Sequence, residues 1–401
     1  MNLLNNAFSF SFFFIGLNTA FFIFREAFLP LRVVYTLCVL YIAIRALYLL
    51  ISRKESFSKS VLLGKYFIYV FSLLLSIGFS VAFFLQNVLS SIAILLLAIA
   101  FLKKANLKEY NSFFLGYKIS LVINFIYAGI ELLLLLVFNV QINQFLFFAL
   151  NITDVTNVAE FGRISGLIWD PFLLGIFCAT SFFIFKSKIA KIYILVILFF
   201  SGSRSGQVGF LIALIYYYYP LFINERKVIL AFLIVFLVIP FLPAFIENTR
   251  FFDITNATIS EGEMRRREYY TFIPKIWASD ENPLRFFLGG APLYTGARFY
   301  YANVDSVTRR TIARNDWAIE SDWSGILLGR GIIGFLYYLY IFLMIILNQK
   351  CRILTAMSIA ILFSGIGYNY SLAIFINFIL FFASSFHLRL ENKNLKSEVV
   401  Q

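Results

Sequence analysis

The sequence predicts an all-α polytopic membrane protein of about twelve transmembrane helices with one large extracytoplasmic loop. Three observations predict it. First, 61% of the 401 residues are hydrophobic and only 14% are charged, at a mean hydropathy of +0.84, whereas soluble domains carry about a quarter charged residues. Second, apolar runs near the roughly 20 residues that a spanning helix needs recur along the chain. Third, Lys and Arg gather in every second short loop, which is the asymmetry that orients a membrane protein.

The runs lie at about 7–24, 29–51, 61–84, 88–102, 112–140, 167–185, 189–201, 207–223, 228–246, 322–348, 353–368 and 370–386. The first reads as a retained helix, because no small-residue cleavage site follows it. Arg53, Lys54 and Lys59, then Lys103, Lys104 and Lys108, then Lys186, Lys188 and Lys191, then Arg226 and Lys227, then Lys350 and Arg352, and finally Arg389, Lys393 and Lys396 mark one side. That side is cytoplasmic and holds both termini. The chain therefore divides into helices one to nine over 1–246, a large external loop over 247–320, helices ten to twelve over 321–387, and a cytoplasmic tail over 388–401.

Charge differs in kind between the two sides. The cytoplasmic cations are mostly Lys, whereas the external ones are Arg apart from Lys275. Guanidinium is planar and permanently charged and forks onto phosphate or carboxylate oxygens, while ammonium is a compact point charge. The external Arg set therefore reads as an anion site, with the loop acids able to neutralise much of it as surface pairs. The three cysteines show no pairing or zinc-site spacing, and the one histidine, His387, lies near the C-terminus, which excludes multi-histidine metal chemistry and a Ser-His or Cys-His nucleophile elsewhere.

Three stretches carry the chemistry. Arg163 precedes the sixth helix in Phe161-Gly162-Arg163-Ile164-Ser165-Gly166, and Arg204 stands in Ser201-Gly202-Ser203-Arg204-Ser205-Gly206 between the seventh and eighth. Ionisable groups at membrane depth are costly and usually functional; the Ser- and Gly-rich turn also predicts free backbone N–H groups at a helix start. The plainer alternative for Arg204 is a snorkelling side chain on a short turn. Asp170-Pro171 reads as an acid beside a kink within the sixth helix, with Arg163 its simplest partner, and Glu131 in the fifth helix reads as a buried structural acid bonded across helices. The third stretch is Glu320-Ser321-Asp322, ahead of Gly325, Gly329, Gly331 and Gly334, small residues that let the tenth helix pack closely. Asp322 serves equally as a helix N-terminal cap. Within the loop, 261–277 has the spacing of an amphipathic surface helix.

At these residues the chain resembles the O-antigen polymerase (Wzy-type) members of the O-antigen polymerase and ligase superfamily, a GT-C-like architecture. The family's Arg-x-x-Gly with a following Pro stands here as Arg163 to Gly166 with Pro171. Its Ser/Thr-x-Ser-Arg-x-Gly turn stands as Ser201 to Gly206, and its polar cluster with Gly-x-x-Gly as Glu320 to Asp322 with Gly331 and Gly334. Ligases place a His about eleven residues before the first of those glycines. Glu320 occupies that place here, which favours polymerase over ligase. Phe172 follows the proline where ligases often have Asn.

The resemblance implies an enzyme of the inner membrane that polymerises lipid-linked repeat units, in the biosynthesis of lipopolysaccharide or a related polysaccharide. It would transfer the growing glycan from undecaprenyl pyrophosphate to the non-reducing end of a new repeat at the periplasmic face. Glu320 or Asp322 would be the base. Arg163 and Arg204, with a loop arginine such as Arg265, Arg266 or Arg298, would hold the pyrophosphate; Asp170, Pro171, Ser203, Gly331 and Gly334 would be structural or orienting. No metal or cofactor is expected and no nucleic acid; undecaprenyl-pyrophosphate-linked oligosaccharides, the bilayer and a chain-length regulator are the partners the resemblance allows. Two alternatives stay open: an O-antigen ligase, and a flippase or transporter, although the matching interrupted halves of many transporters are not visible.

Overall fold

The structure, a computed structural model, describes residues 2–18, 29–52, 107–143, 163–168, 170–224, 286–287, 322–348, 352–366 and 379–380. Among these the chain is helical and contains no strand. The helices are α1 (Asn2–Leu17), α2 (Leu29–Ser52), α3 (Leu107–Phe138), α4 (Pro171–Ser181), α5 (Lys188–Phe200), α6 (Arg204–Asn224), α7 (Asp322–Asn348) and α8 (Arg352–Ser364), with a 3-10 turn at Gly166–Ile168. They track the apolar runs closely. The runs at 61–84, 88–102 and 228–246, and nearly all of 370–386, lie outside the described residues, as does the surface helix expected at 261–277.

One of these helices, Lys108–Phe138, is long and apolar enough to cross a membrane. Its outer face carries large aliphatics that the described residues leave exposed: Ile126 is 60% exposed, Leu133 56% and Val137 66%. Such a face is costly in water, at about 25 cal/mol per Å² of apolar surface. The opposite face of α3 packs on α1. There Gly16 faces the backbone of Phe113 and Tyr117 while Gly116 faces that of Phe13 and Leu17, so closely that a Cβ on either glycine would strike a carbonyl oxygen. Small residues at a crossing are what allow two helix backbones to approach to this extent.

The second half of the bundle is built on α4, α6 and α8. Gly175 and Ser203 meet near the starts of α4 and α6, and Phe182 meets Phe210 further along at 5.0 Å between centroids, so these helices run parallel with α5 returning between them. Gly209 faces Ala360 and Ser364 while Arg352 reaches the Tyr216 carbonyl at 3.3 Å, so α8 runs antiparallel to α6. The core between α3 and α4 is aromatic, with Tyr117 and Phe177 stacked at 5.7 Å and the Tyr117 hydroxyl 3.0 Å from that of Thr180.

Two local expectations change. Asp170-Pro171 does not kink a helix; it begins one. Asp170 has extended backbone (φ −132°, ψ 111°) and its carboxylate accepts the N–H groups of Phe172 and Leu173, with Pro171 in the first turn. An Asp cap followed by Pro is a strong helix start, because Pro sacrifices only an N–H that would lack a partner there. The apolar residues 167 and 168, which extend the hydrophobic run upstream, belong to the 3-10 turn instead. Likewise Gly331 breaks α7 with φ 63°, ψ −172°, a conformation that suits glycine alone. Its role is a change of helix direction, whereas Gly334, also buried, falls in regular helix.

Candidate functional site

Arg163 is placed by a peptide segment that α3 holds from below. The carboxylate of Glu131, 2% exposed, accepts the N–H of Gly166 at 2.8 Å and the N–H of Ser165 at 3.1 Å. Asn143 donates to the same carboxylate at 2.9 Å, and its amide also lies 2.6 Å from the Ser165 hydroxyl. The Tyr127 hydroxyl in turn donates to the Asn143 carbonyl oxygen at 2.6 Å, and Asn124 accepts the Leu167 N–H at 3.0 Å. Irregular backbone needs such partners when buried, since each unmet amide costs about 1–3 kcal/mol. Glu131 is thus the structural acid the sequence suggested, bonded to a turn as well as across to a neighbouring segment.

From this anchored segment Arg163 extends across the turn between α5 and α6. Its guanidinium carbon lies 5.2 Å from the centroid of Phe172, a cation–π distance. On its other side is Gly202: a Cβ there would lie 3.0 Å from Arg163 Nε and 3.4 Å from Cδ. Gly202 has φ +61°, which closes the turn. The Ile164 N–H donates to the Phe200 carbonyl at 3.2 Å and ties the two segments together.

The turn is held largely by its own serines. Ser201 Oγ donates to the Leu198 carbonyl at 2.8 Å and accepts the Ser203 N–H at 3.3 Å. Ser203 Oγ donates to the Phe172 carbonyl and accepts the Gly206 N–H at 3.3 Å, which makes Ser203 the cap of α6. The Gly202 and Arg204 amides bond to the carbonyls of Phe199 and Gly202. The amides of Gly202, Ser203, Arg204 and Gly206 are therefore bonded locally rather than forming a row of free N–H groups, and the Arg163 and Arg204 side chains add positive charge here. Arg204 is exposed at the first position of α6, where the helix dipole gives a cation no support.

The third stretch arrives at the same end. Asp322 begins α7, and the next residue fixes that start: the Trp323 N–H lies 3.4 Å from the Gly365 carbonyl and its indole Nε1 donates to the Leu362 carbonyl at 3.0 Å. The end of α8 that receives Trp323 also carries Ser364, packed on Gly209 little more than one turn from Arg204. Arg163, Asp170, Pro171, Ser203, Arg204 and the start of α7 thus share one end of the bundle. Glu320, Arg265, Arg266 and Arg298 lie outside the described residues. No family model matches the sequence, and no curated protein matches it.

Sequence reasoning passed over Phe172 as a mere departure from pattern and gave Asn143 no role. A signal for Phe172 existed, since an aromatic two residues after a cap sits in the first helical turn beside whatever the preceding loop presents. Asn143 had none, because its partners depend on how the chain folds back after α3. Among the described residues no group of three His, Cys, Asp or Glu is placed to hold a metal ion. Chemically, the end offers two guanidinium groups, one oriented by an aromatic face and a rigid segment and one exposed to solvent, at the end of the bundle where the helix that follows the acidic cluster begins.

Proposed function

We propose that the protein is a multi-pass enzyme of the cytoplasmic membrane that polymerises lipid-linked oligosaccharide repeat units at the outer leaflet. The observation that carries this is that Arg163 packs on the Ser201–Gly206 turn at the same end of an apolar helical bundle as the start of α7. Two cations at the edge of a low-dielectric body, Arg163 oriented and Arg204 exposed, suit a pyrophosphate on a lipid tail, which must stay in the membrane plane while its sugar reacts. The exposed aliphatic face of α3 supports a lipid environment.

In this mechanism the hydroxyl at the non-reducing end of the incoming repeat attacks the anomeric carbon of the growing glycan. The bond from that carbon to the pyrophosphate oxygen breaks, and undecaprenyl pyrophosphate departs with both bonding electrons. Arg163 and Arg204 stabilise the charge that develops on it, an interaction stronger in the transition state than in the ground state. The hydroxyl proton passes to Glu320, or to Asp322, as general base. Direct displacement inverts the anomeric centre.

The test is the glycan ladder of cells lacking the gene. A single repeat on the final acceptor, with the ladder restored by wild type but not by Glu320→Gln, is the expected result. Long chains stranded on carrier lipid would make the protein a ligase, and single repeats trapped inside the cell would make it a flippase.

A further inference from the structure

A second cluster of cations lies away from the Arg163 end and is used by nothing above. Lys191 Nζ sits 4.9 Å from the ring centroid of Phe182 and 6.0 Å from that of Tyr218, and donates to the Tyr218 hydroxyl at 3.3 Å. The Arg352 guanidinium lies 5.6 Å from the centroid of Tyr217, and Nη2 donates to the Tyr216 carbonyl. Tyr217 and Tyr218 meet edge to face at 5.0 Å. Lys191 and Arg352 therefore flank one pair of rings contributed by α6. Lys186, Lys188 and Arg352 are exposed. The helices that build the cluster, α4, α5, α6 and α8, contain no acidic residue, and Asp170, capping α4, is at the far end.

Depth gives this cluster its meaning. α4 has 11 residues and α5 and α8 have 13 each, so at 1.5 Å per residue they are about 16–20 Å long. A bilayer's hydrocarbon core is about 30 Å thick. Tyr218 lies a similar distance along α6 from Arg204, while α6 itself continues to Asn224. With the Arg163 end at one interface, Lys186, Lys188, Lys191 and Arg352 form a shelf roughly 10 Å short of the other, by the same rise and thickness. Cations so placed require either local thinning of the bilayer or an anion drawn in to meet them.

Resting on the membrane reading proposed above, we infer that this shelf, formed by Lys191, Arg352, Tyr217 and Tyr218 with Lys186 and Lys188 at its rim, binds the phosphate of an anionic phospholipid from the leaflet opposite the Arg163 end. A diester phosphate has its own acyl chains to lie against the short helices while its charge meets the cations at their ends. The aromatic faces orient the half-buried Lys191 and the exposed Arg352 about one pair of rings, which sets two cations side by side for a phosphate. Basic recesses between helices on the cation-rich side are a general means of binding such headgroups.

The test uses the full chain purified in a neutral detergent, with lipid adducts followed by native mass spectrometry and unfolding by heating. Phosphatidylglycerol is expected to bind and stabilise, and phosphatidylcholine of the same acyl chains and inorganic phosphate to do neither. Loss of both cations in Lys191→Gln/Arg352→Gln is expected to weaken phosphatidylglycerol binding at least about tenfold, with Arg352→Lys near wild type. Should the double variant fail to fold, each single glutamine variant is read in its place. Equal binding by variant and wild type, or equal binding of phosphatidylcholine, overturns the inference; binding of inorganic phosphate alone overturns its lipid identity. Carbonate extraction of wild-type membranes separates the two levels: release of the protein defeats the membrane reading itself, whereas retention without phosphatidylglycerol binding defeats only the shelf.

Discussion

Gly202 concentrates two requirements in one residue. Its left-handed backbone closes the turn before α6, and its missing Cβ leaves room for the Arg163 side chain. Gly202→Ala is expected to lose about 1–2 kcal/mol of stability from backbone conformation, seen as a lower melting temperature in detergent. It should also lose activity beyond that, because Arg163 must move off Phe172. Gly206→Ala is the informative contrast: it crowds Gly175 and Ser203 without touching Arg163. Arg204 makes the opposite case, an exposed side chain whose removal is expected to leave membrane abundance unchanged. Arg204→Ala should lower transfer by about 10- to 100-fold, the loss of one charge-assisted contact worth about 1.5–3 kcal/mol in the transition state; single-turnover rates on lipid-linked substrate check it. Unaltered rates would leave Arg204 as a snorkelling surface residue.

At the scale of elements, α3 acts as the post to which the Arg163 segment is fastened. Glu131→Ala strips acceptors from the Ser165 and Gly166 amides and from Asn143 at once, and is expected to destabilise the protein by about 3 kcal/mol or more. Glu131→Gln keeps one acceptor oxygen and should fall between the two. Thermal unfolding of both, measured beside Asn143→Ala, orders the contributions. At the crossing of α1 and α3, Gly116→Leu forces two backbones apart and should cost more than any surface change on either helix.

Apolar runs located these helices well, because burial and lipid exposure both select the same residue types over a helix's length. They could not place the start of α4. Apolar residues 167 and 168 suit a 3-10 turn as well as a helix, and only the geometry of Asp170 decides between them. The arginines and the Ser–Gly turn were legible from their charge and spacing alone. That most of the turn's amides are bonded locally was not, since each bond depends on which neighbouring oxygen comes within reach.

For the molecule as a whole, Arg163, Arg204 and the start of α7 lie at the same end of the bundle, although they are far apart in sequence. A bundle in which α4 and α6 run parallel, with α8 antiparallel and α7 beginning beside its end, brings these sites together without any of them needing to be close in sequence. Sedimentation with membranes after carbonate treatment is expected for the full chain.

The most direct measurement is reconstitution of purified protein with a lipid-pyrophosphate-linked repeat unit, followed by separation of the products by chain length. Wild type is expected to build chains of several repeats on the carrier lipid and release one undecaprenyl pyrophosphate for each bond formed, while Arg163→Ala and Arg204→Ala, present at equal amounts and equally folded, stop at one repeat. Elongation at the wild-type rate by both variants, or none by folded wild type, would contradict the assignment of this end of the bundle as the site of glycan transfer.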